Sequence, residues 1–349
     1  DVQLAEGLLN QGIIQPFLLV IAAAGVDRLI GDPLWSPHPV VWMGKCISLL
    51  RRRIEAWSGD QPHRLRLGGV AITLVLTIGS ASTGWLIERI AIHTQGVLQA
   101  VATLALLAGL ASALAARSLE QSVQKVIAAL PREDNADLSA ARQQLSWIVG
   151  RDTTSLSRED ILRACAETAS ENAVDGVFAP LFWMLIGASL WSLGYTAAPG
   201  PLALAWGFKA ASTMDSMLGY RRGRLRWLGT AGARLDDLLT WLPCRLVMLS
   251  LPAVSRAFWH WPALVTMAES EGRHDASPNA GRSEAIYAHC ARVQLGGRNH
   301  YGDHWVDKPV LGAGYPTADP ASVFRILGLT RRLELLWILF AALLSWVLQ

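Results

Sequence analysis

The sequence predicts an all-α protein: a polytopic integral membrane helix bundle, one membrane-embedded domain across residues 1–349, whose long cytoplasmic loops form the active site. Three observations predict it. Of the 349 residues 52% are hydrophobic and only 17% charged, where soluble chains carry about 25% charged residues. Mean hydropathy is +0.29. Apolar segments long enough to approach a ~30 Å hydrocarbon core recur along the chain, with basic loops between them.

The spans are expected at about 13–26, 67–87, 97–116, 177–193, 201–218 and 333–348. The first is the shortest, and at ~1.5 Å per residue it barely crosses. Residues 1–26 hold no Lys or Arg, so no signal-peptide n-region is expected and this segment reads as a retained span. Loops 27–66 and 117–172 each hold seven Lys and Arg residues, and 219–235 holds five with no acid. The links 88–96 and 194–200 hold one and none. The basic loops, with 259–332, are therefore expected on the cytoplasmic face of the inner membrane. Trp35, Trp85, Trp191, Trp241 and Trp337 lie near span ends, as interfacial anchors do, although packing alone also places tryptophan there. Residues 236–258 resist the scheme, because Asp236, Asp237, Pro243, Arg245 and Pro252 interrupt them. A re-entrant or interfacial element with broken backbone, buried in protein, is the expectation.

Totals exclude some functions. A net charge of +3 is too small to mark a nucleic-acid binder. Cys46, Cys165, Cys244 and Cys290 are scattered without a CxxC pair, which points to neither zinc nor disulfides.

Chemistry concentrates beside the spans. In GRDTTSLSREDILRACAETASENAVDGVFAPL, Ser157 followed by Asp160 reads as a capping box, so a helix starts near Arg158. Glu167, Glu171 and Asp175 then fall at i, i+4 and i+8, three carboxylates on one face. Such a row repels itself and needs a cation, a proton or a substrate, unless it is merely a solvated acidic face. A second group is Lys209 with Asp215 in an apolar segment, followed by Arg221. Charges there are costly unless paired. Arg234 abuts Asp236 and Asp237. The first loop contributes Asp32 and His38 in a shaped turn. The last contributes Ser277, Asn279 and Glu284, then Leu295-Gly296-Gly297; such turns can offer N–H groups to phosphate and are also ordinary turns. Carboxylates with Arg151, Lys209, Arg221 and Arg234 suit Mg²⁺ and a phosphorylated substrate or ATP. They equally suit an ion-coupled transporter.

Four stretches together resemble the adenosylcobinamide-phosphate synthase family of cobalamin biosynthesis, the CobD/CbiB membrane proteins: DRLIGDPLWSPHPVVWMGK, RDTTSLSREDILRACAETASENAVDGVFAPLFW, KAASTMDSMLGYRRGRLRWLGTAGARLDD with PCRL, and SPNAGRSEA with LGGRNHYGD. The chain departs from the family pattern at Ser212, Thr240 and Arg282-Ser283. AmpE-type signalling proteins share part of the architecture without the last stretch. The resemblance implies an ATP-dependent acid–amine ligase. It would join adenosylcobyric acid to (R)-1-amino-2-propanol O-2-phosphate, or to free aminopropanol, giving adenosylcobinamide phosphate. The corrinoid is then a substrate rather than a prosthetic group.

By that resemblance Glu167, Glu171, Asp175, Lys209, Asp215, Asp236 and Asp237 would be catalytic, with Mg²⁺ on some of Glu171, Asp175, Asp215, Asp236 and Asp237. Asp32, His38, Arg151, Asn172, Arg221, Arg234, Ser277, Asn279 and Glu284 would bind substrate or phosphate. The amphiphilic product would pass along the bilayer to later nucleotide-loop enzymes. A corrinoid or phospho-substrate transporter and an AmpE-like signalling protein are the competing classes.

Overall fold

The computed structural model describes residues 15–31, 38–133, 137–301 and 304–347, of which 299–306 as backbone alone. Helices come in the order α1 (Pro16–Leu29), α2 (Pro39–Ser58), α3 (Pro62–His93), α4 (Gly96–Ala111), α5 (Ala116–Ala128), α6 (Ser139–Ser146) and α7 (Arg158–Ala173). A π-helical turn, Val174–Phe178, leads into α8 (Ala179–Ser192), then α9 (Pro201–Leu218), α10 (Leu225–Leu228) and α11 (Thr230–Ser250). Next come α12 (Trp261–Gly272), α13 (Ala280–Ala291), the strands β1 (Leu295–Tyr301) and β2 (His304–Leu311), and α14 (Pro320–Val347). Proline opens α1, α2, α3 and α9, where its missing N–H removes no helical bond.

The protein is an all-α polytopic membrane protein. Among the described residues Pro62–His93, Gly96–Ala128, Arg158–Ser192 and Thr230–Val254 are long and apolar enough to cross a bilayer. The expected spans 67–87 and 97–116 fall within the first two, and 177–193 lies almost wholly within the third. Segment 201–218 is α9, and 333–347 is the end of the longer α14. The start of the first expected span and Trp35 lie outside the described residues.

Residues 236–258 differ from expectation. Instead of broken backbone, Thr230–Ser250 is one helix with Pro243 inside it, continued by a 3-10 turn at Leu251–Val254. Proline cannot donate to the carbonyl four residues before it. That carbonyl, on Leu239, instead accepts the indole N–H of Trp183 at 3.2 Å. The side chain supplies the bond the backbone lacks, and the helix continues.

The chain forms two compact units. The first comprises Asp1–Ala115, Ala179–Leu239 and Trp337–Gln349. Its core gathers Phe17, Ile72, Leu106, Leu110, Met184, Leu202 and Met214. In lipid, helix association rests on close packing rather than on exclusion of water. Accordingly, a Cβ at Gly84 of α3 would lie 2.9 Å from the Ala203 backbone of α9. The nearby acid of α3, Glu88, is fully buried and accepts N–H bonds from Gly200 (3.0 Å), Leu202 (2.7 Å) and Ala203 (3.1 Å), the opening turn of α9. It satisfies donors that no intrahelical carbonyl can reach. Trp191 is not an exposed anchor: it is buried in this core, its indole bonded to the Ala198 carbonyl at 3.3 Å. Trp85 and Trp241 are exposed.

The second unit comprises Ala116–Phe178 and Thr240–Leu336. Val123 and Val126 of α5, Leu145 of α6, Ile161 and Cys165 of α7, and Ile286 and Tyr287 of α13 are buried in it. Tyr287 and Thr330 share a hydrogen bond of 2.7 Å between α13 and α14. The antiparallel β1–β2 hairpin pairs Leu295 with Leu311 and Gly297 with Lys308, with a bulge between Leu295 and Gly297. The four cysteines are free, all but Cys46 buried.

Candidate active site

The second unit brings together a buried charged cluster. Ser157 caps α7 where the sequence predicts a start: the Asp160 N–H donates to Ser157 Oγ at 3.1 Å, the Ser157 hydroxyl donates to Asp160 Oδ2 at 2.7 Å, and the helix starts at Arg158. Two turns on, Glu167 is buried at 3% exposure. One of its carboxylate oxygens pairs with Arg151, and the other accepts the Gly296 N–H at 3.0 Å. Arg163, four residues earlier on the same face, donates to the carbonyls of Gly296 (2.8 Å) and Arg298 (3.0 Å) and to Asp160 (2.9 Å).

The hairpin can sit this close because of its two glycines. Gly296 and Gly297 have φ of 77° and 86°, the left-handed region that glycine tolerates. A Cβ at Gly296 would lie 2.0 Å from the Pro309 carbonyl. The Gly-Gly pair therefore makes the bulge, and its backbone N–H meets a carboxylate rather than a phosphate.

Opposite Gly297 in the register stands Lys308. Its ammonium donates to Glu284 Oε1 at 3.1 Å and lies 3.8 Å from Asp275 Oδ2. Glu171 feels Lys308, Asp275, Glu167 and Arg151. Setting aside Arg163 with its partner Asp160, four carboxylates (Glu167, Glu171, Asp275, Glu284) face two cations, Arg151 and Lys308. Burial alone would lower the Lys308 ammonium, but the carboxylates of Glu284, Glu171, Asp275 and Glu167 more than offset this and hold it above its ordinary value. Burial pushes the Glu284 carboxyl up to about 8 against the opposing pull of Lys308. Glu284 is 1% exposed, and its Oε2 has no hydrogen-bond partner among the described residues. Four carboxylates against two cations are balanced by protons on the carboxylates or by a cationic guest.

The remaining candidates fall into place as follows. Asp175 sits in the π-helical turn and feels Cys244 of α11, while Asn172 is half-buried at the end of α7. π-turns inside helices frequently mark functional sites. The SPNAG stretch is a helix entry. Ser277 Oγ accepts the N–H groups of Asn279 and Ala280, each at 3.2 Å, and the Asn279 side-chain oxygen takes a hydrogen bond from Arg245. Arg282, one of the departures from the family pattern, grips Glu269 through two bonds of 2.6 and 2.7 Å and holds that carboxyl below its ordinary range.

Lys209, Asp215, Arg221, Arg234, Asp236 and Asp237 belong to the first unit. Asp215 lies near the end of α9, where a Cβ at Gly219 would collide with its carboxylate at 2.1 Å. Gly232 packs its backbone against Met214 of α9, and Asp236, one turn further along α11, is buried. Arg221 and Arg234 are exposed. His38 caps α2, its ring Nδ1 accepting the Val40 N–H at 3.3 Å. Asp32 lies outside the described residues.

Lys308, Asp275 and Arg163 are absent from the sequence-derived site. One signal was available: Lys308 is the sole lysine of loop 259–332. Its partners are distant in sequence, and only the hairpin register aims it. As for metal, no group of three or more His, Cys, Asp or Glu among the described residues is placed to hold an ion. Mg²⁺ that arrives with a nucleotide needs only one or two protein carboxylates, with phosphates and waters completing its shell. In the second unit Glu171 lies close enough to Asp275, Glu167 and Glu284 to interact with them electrostatically.

Comparison with known proteins agrees on one family. Residues 20–330 match the family model described as CobD/Cbib protein. The cobalamin biosynthesis protein CobD of Synechocystis sp. is 41% identical over 331 residues, 94% of this chain and 92% of that protein. The CobD protein of Geobacter metallireducens is 37% identical, covering 95% of this chain and 97% of its own. The cobalamin biosynthesis protein CbiB of Salmonella typhimurium is 34% identical, covering 90% of each. No solved structure matches the chain.

Proposed function

The chain belongs to the CobD/CbiB family and serves cobalamin biosynthesis, and from that premise we propose that it is an ATP-dependent acid–amine ligase. It joins adenosylcobyric acid to (R)-1-amino-2-propanol O-2-phosphate, or to the free amino alcohol, and yields adenosylcobinamide phosphate or cobinamide. The observation that carries this reading is the buried acid excess around Lys308, with the Glu284 carboxyl raised to about 8. Such a cluster attracts an ammonium group and offers a base matched to neutral pH.

A carboxylate is a poor electrophile and must be activated. In the proposed route, a carboxylate oxygen of adenosylcobyric acid attacks the γ-phosphorus of ATP, and ADP leaves. The amine nitrogen then attacks the acyl carbon, inorganic phosphate leaves, and Glu284 takes the proton shed by nitrogen. Lys308 and Arg151 balance the carboxylates that draw the amine in. Lys209, Arg221 and Arg234 of the first unit are proposed to meet phosphate, the electrostatic contribution that dominates such transfers. Mg²⁺ bound with ATP would neutralise phosphate oxygens, with carboxylates of a single unit as its proposed holders, either Glu171 and Asp175 or Asp215, Asp236 and Asp237. Asn172, Ser277 and Asn279 are proposed to border the substrate.

We place this chemistry on the cytoplasmic face of the inner membrane, because the basic loops lie beside it in sequence. Purified protein in detergent, given both substrates and Mg-ATP, should release one ADP for each amide formed. Absence of amide while the substrates remain competent with a related ligase would overturn the reading. Uptake into vesicles without chemistry would replace it with a transporter. Labelling of a cysteine placed at Asn279 tests the sidedness: a periplasmic result is incompatible with it.

A further inference from the structure

In the first unit a cavity of about 350 Å³ is lined by Arg66 and Val70 of α3, Trp227 of α10, and Thr230, Ala231 and Arg234 of α11. Gly69 makes it possible. A Cβ there would lie 2.1 Å from the Leu228 carbonyl, so the α10 backbone rests directly on α3. The indole of Trp227 is flanked by two guanidinium groups, Arg66 at 4.4 Å and Arg226 at 5.0 Å from the ring centre. Neighbouring Arg224 is paired with Asp60 at 2.7 Å. Among the described residues neither Arg66 nor Arg234 has a carboxylate partner. The cavity's lining holds two arginines and no acid.

Directly along α3 from Arg66 runs an apolar stripe. Leu67, Val70, Leu74 and Ile78 are 64%, 45%, 53% and 59% exposed. Their spacing puts them on one helix face, and the helix that carries them is long and apolar enough to span. Guanidinium groups and an indole at the head of a lipid-facing stripe match one ligand shape, an anionic headgroup with an acyl chain attached. A soluble phosphoester would use the arginines alone.

We propose that Arg66, Arg234 and Trp227 bind the phosphate of an anionic phospholipid whose acyl chain lies along the Leu67–Ile78 face of α3. The site shares Arg234 with the ligase reading, but Arg66, Trp227 and the α3 face have no part in that reaction, so lipid binding is read apart from turnover and survives the failure of that reading.

The test titrates the full chain, in neutral detergent, with dioctanoyl phosphatidylglycerol, with phosphatidylcholine of the same chain length, and with inorganic phosphate, reading the melting temperature. Phosphatidylglycerol should raise it saturably, and the other two should not. Each arginine contributes about fivefold near an anionic headgroup, so Arg66→Gln with Arg234→Gln should weaken the apparent affinity about 25-fold. Arg222→Gln, beside Tyr220, should leave it unchanged. An equal loss with Arg222→Gln, an equal response to phosphatidylcholine, or saturation by inorganic phosphate would each overturn the proposal, the last assigning the pocket to a soluble phosphate. Should the double variant not fold, photo-crosslinking of wild type with an azido phosphatidylglycerol decides: adducts within 66–78 or 225–234 support the site, and adducts confined elsewhere refute it.

Discussion

Lys308 of β2, 22% exposed, donates to the buried Glu284 of α13 across 3.1 Å, with Glu167, Glu171 and Asp275 close enough to act on Lys308 electrostatically. The lysine is the counter-charge that lets an acid-rich pocket exist. Removing one partner of a buried ion pair costs about 3–5 kcal/mol, because the other is left uncompensated. Lys308→Met should therefore lower both stability and turnover. Lys308→Met combined with Glu284→Gln should restore most of the melting temperature and none of the turnover. Recovery of turnover in the double variant would remove the pair from the site.

The raised Glu284 carboxyl makes a signed pH prediction. Its ordinary value is 4.5 and its folded value about 8, so between these the folded state holds a proton the unfolded state has released. Stability from this group is greatest below 4.5, falls as pH rises towards 8, and levels off above. Lys308 adds no slope in that window, since a raised lysine loses its contribution only above its own unfolded value of 10.5. Melting temperatures from pH 5 to 8 should fall less steeply in Glu284→Gln than in wild type. Parallel curves would contradict the assignment.

Glu171→Gln and Asp215→Asn probe the two units separately. If each carboxylate touches metal or substrate, each substitution should cut kcat/KM at least about 10²-fold. A normal rate in one would confine the chemistry to the other's unit.

Gly296→Ala forces a side chain into φ of 77° and against the Pro309 carbonyl. The left-handed conformation alone costs about 1–2 kcal/mol, and the collision adds to it. Limited proteolysis should open the hairpin and turnover should fall, while the helical circular dichroism signal stays. Unchanged protease resistance would show that the bulge relaxes without loss.

Glu88→Ala should remove the acceptor for three N–H groups of α9, a loss of about 3 kcal/mol or more. Chemical unfolding in detergent should show it, with Glu88→Gln intermediate. Wild-type stability in Glu88→Ala would mean that other groups replace the carboxylate.

Local signals carried much of this in the sequence. The Ser157–Asp160 box marks the start of α7, and hydropathy marks α3 and α4. Non-local pairing was hidden. The Leu295-Gly296-Gly297 stretch reads as a turn, because nothing nearby shows that it pairs with 304–311. Lys308 meets Glu284 over 24 residues, and Glu167 meets Gly296 over 129. Pro243 reads as a helix breaker because its remedy, the Trp183 indole, is 56 residues from the carbonyl it satisfies. The row Glu167–Glu171–Asp175 was legible as spacing. That its first two members face a lysine from a hairpin was not.

Glu88 also imposes an order of events on biogenesis. The ribosome makes the acid 112 residues before the Gly200 amide that receives it. Until α9 is synthesised, α3 carries a carboxyl group with none of its final donors, at a cost of about 3 kcal/mol to its hydrophobic segment. Docking of residues 200, 202 and 203 is what supplies those donors.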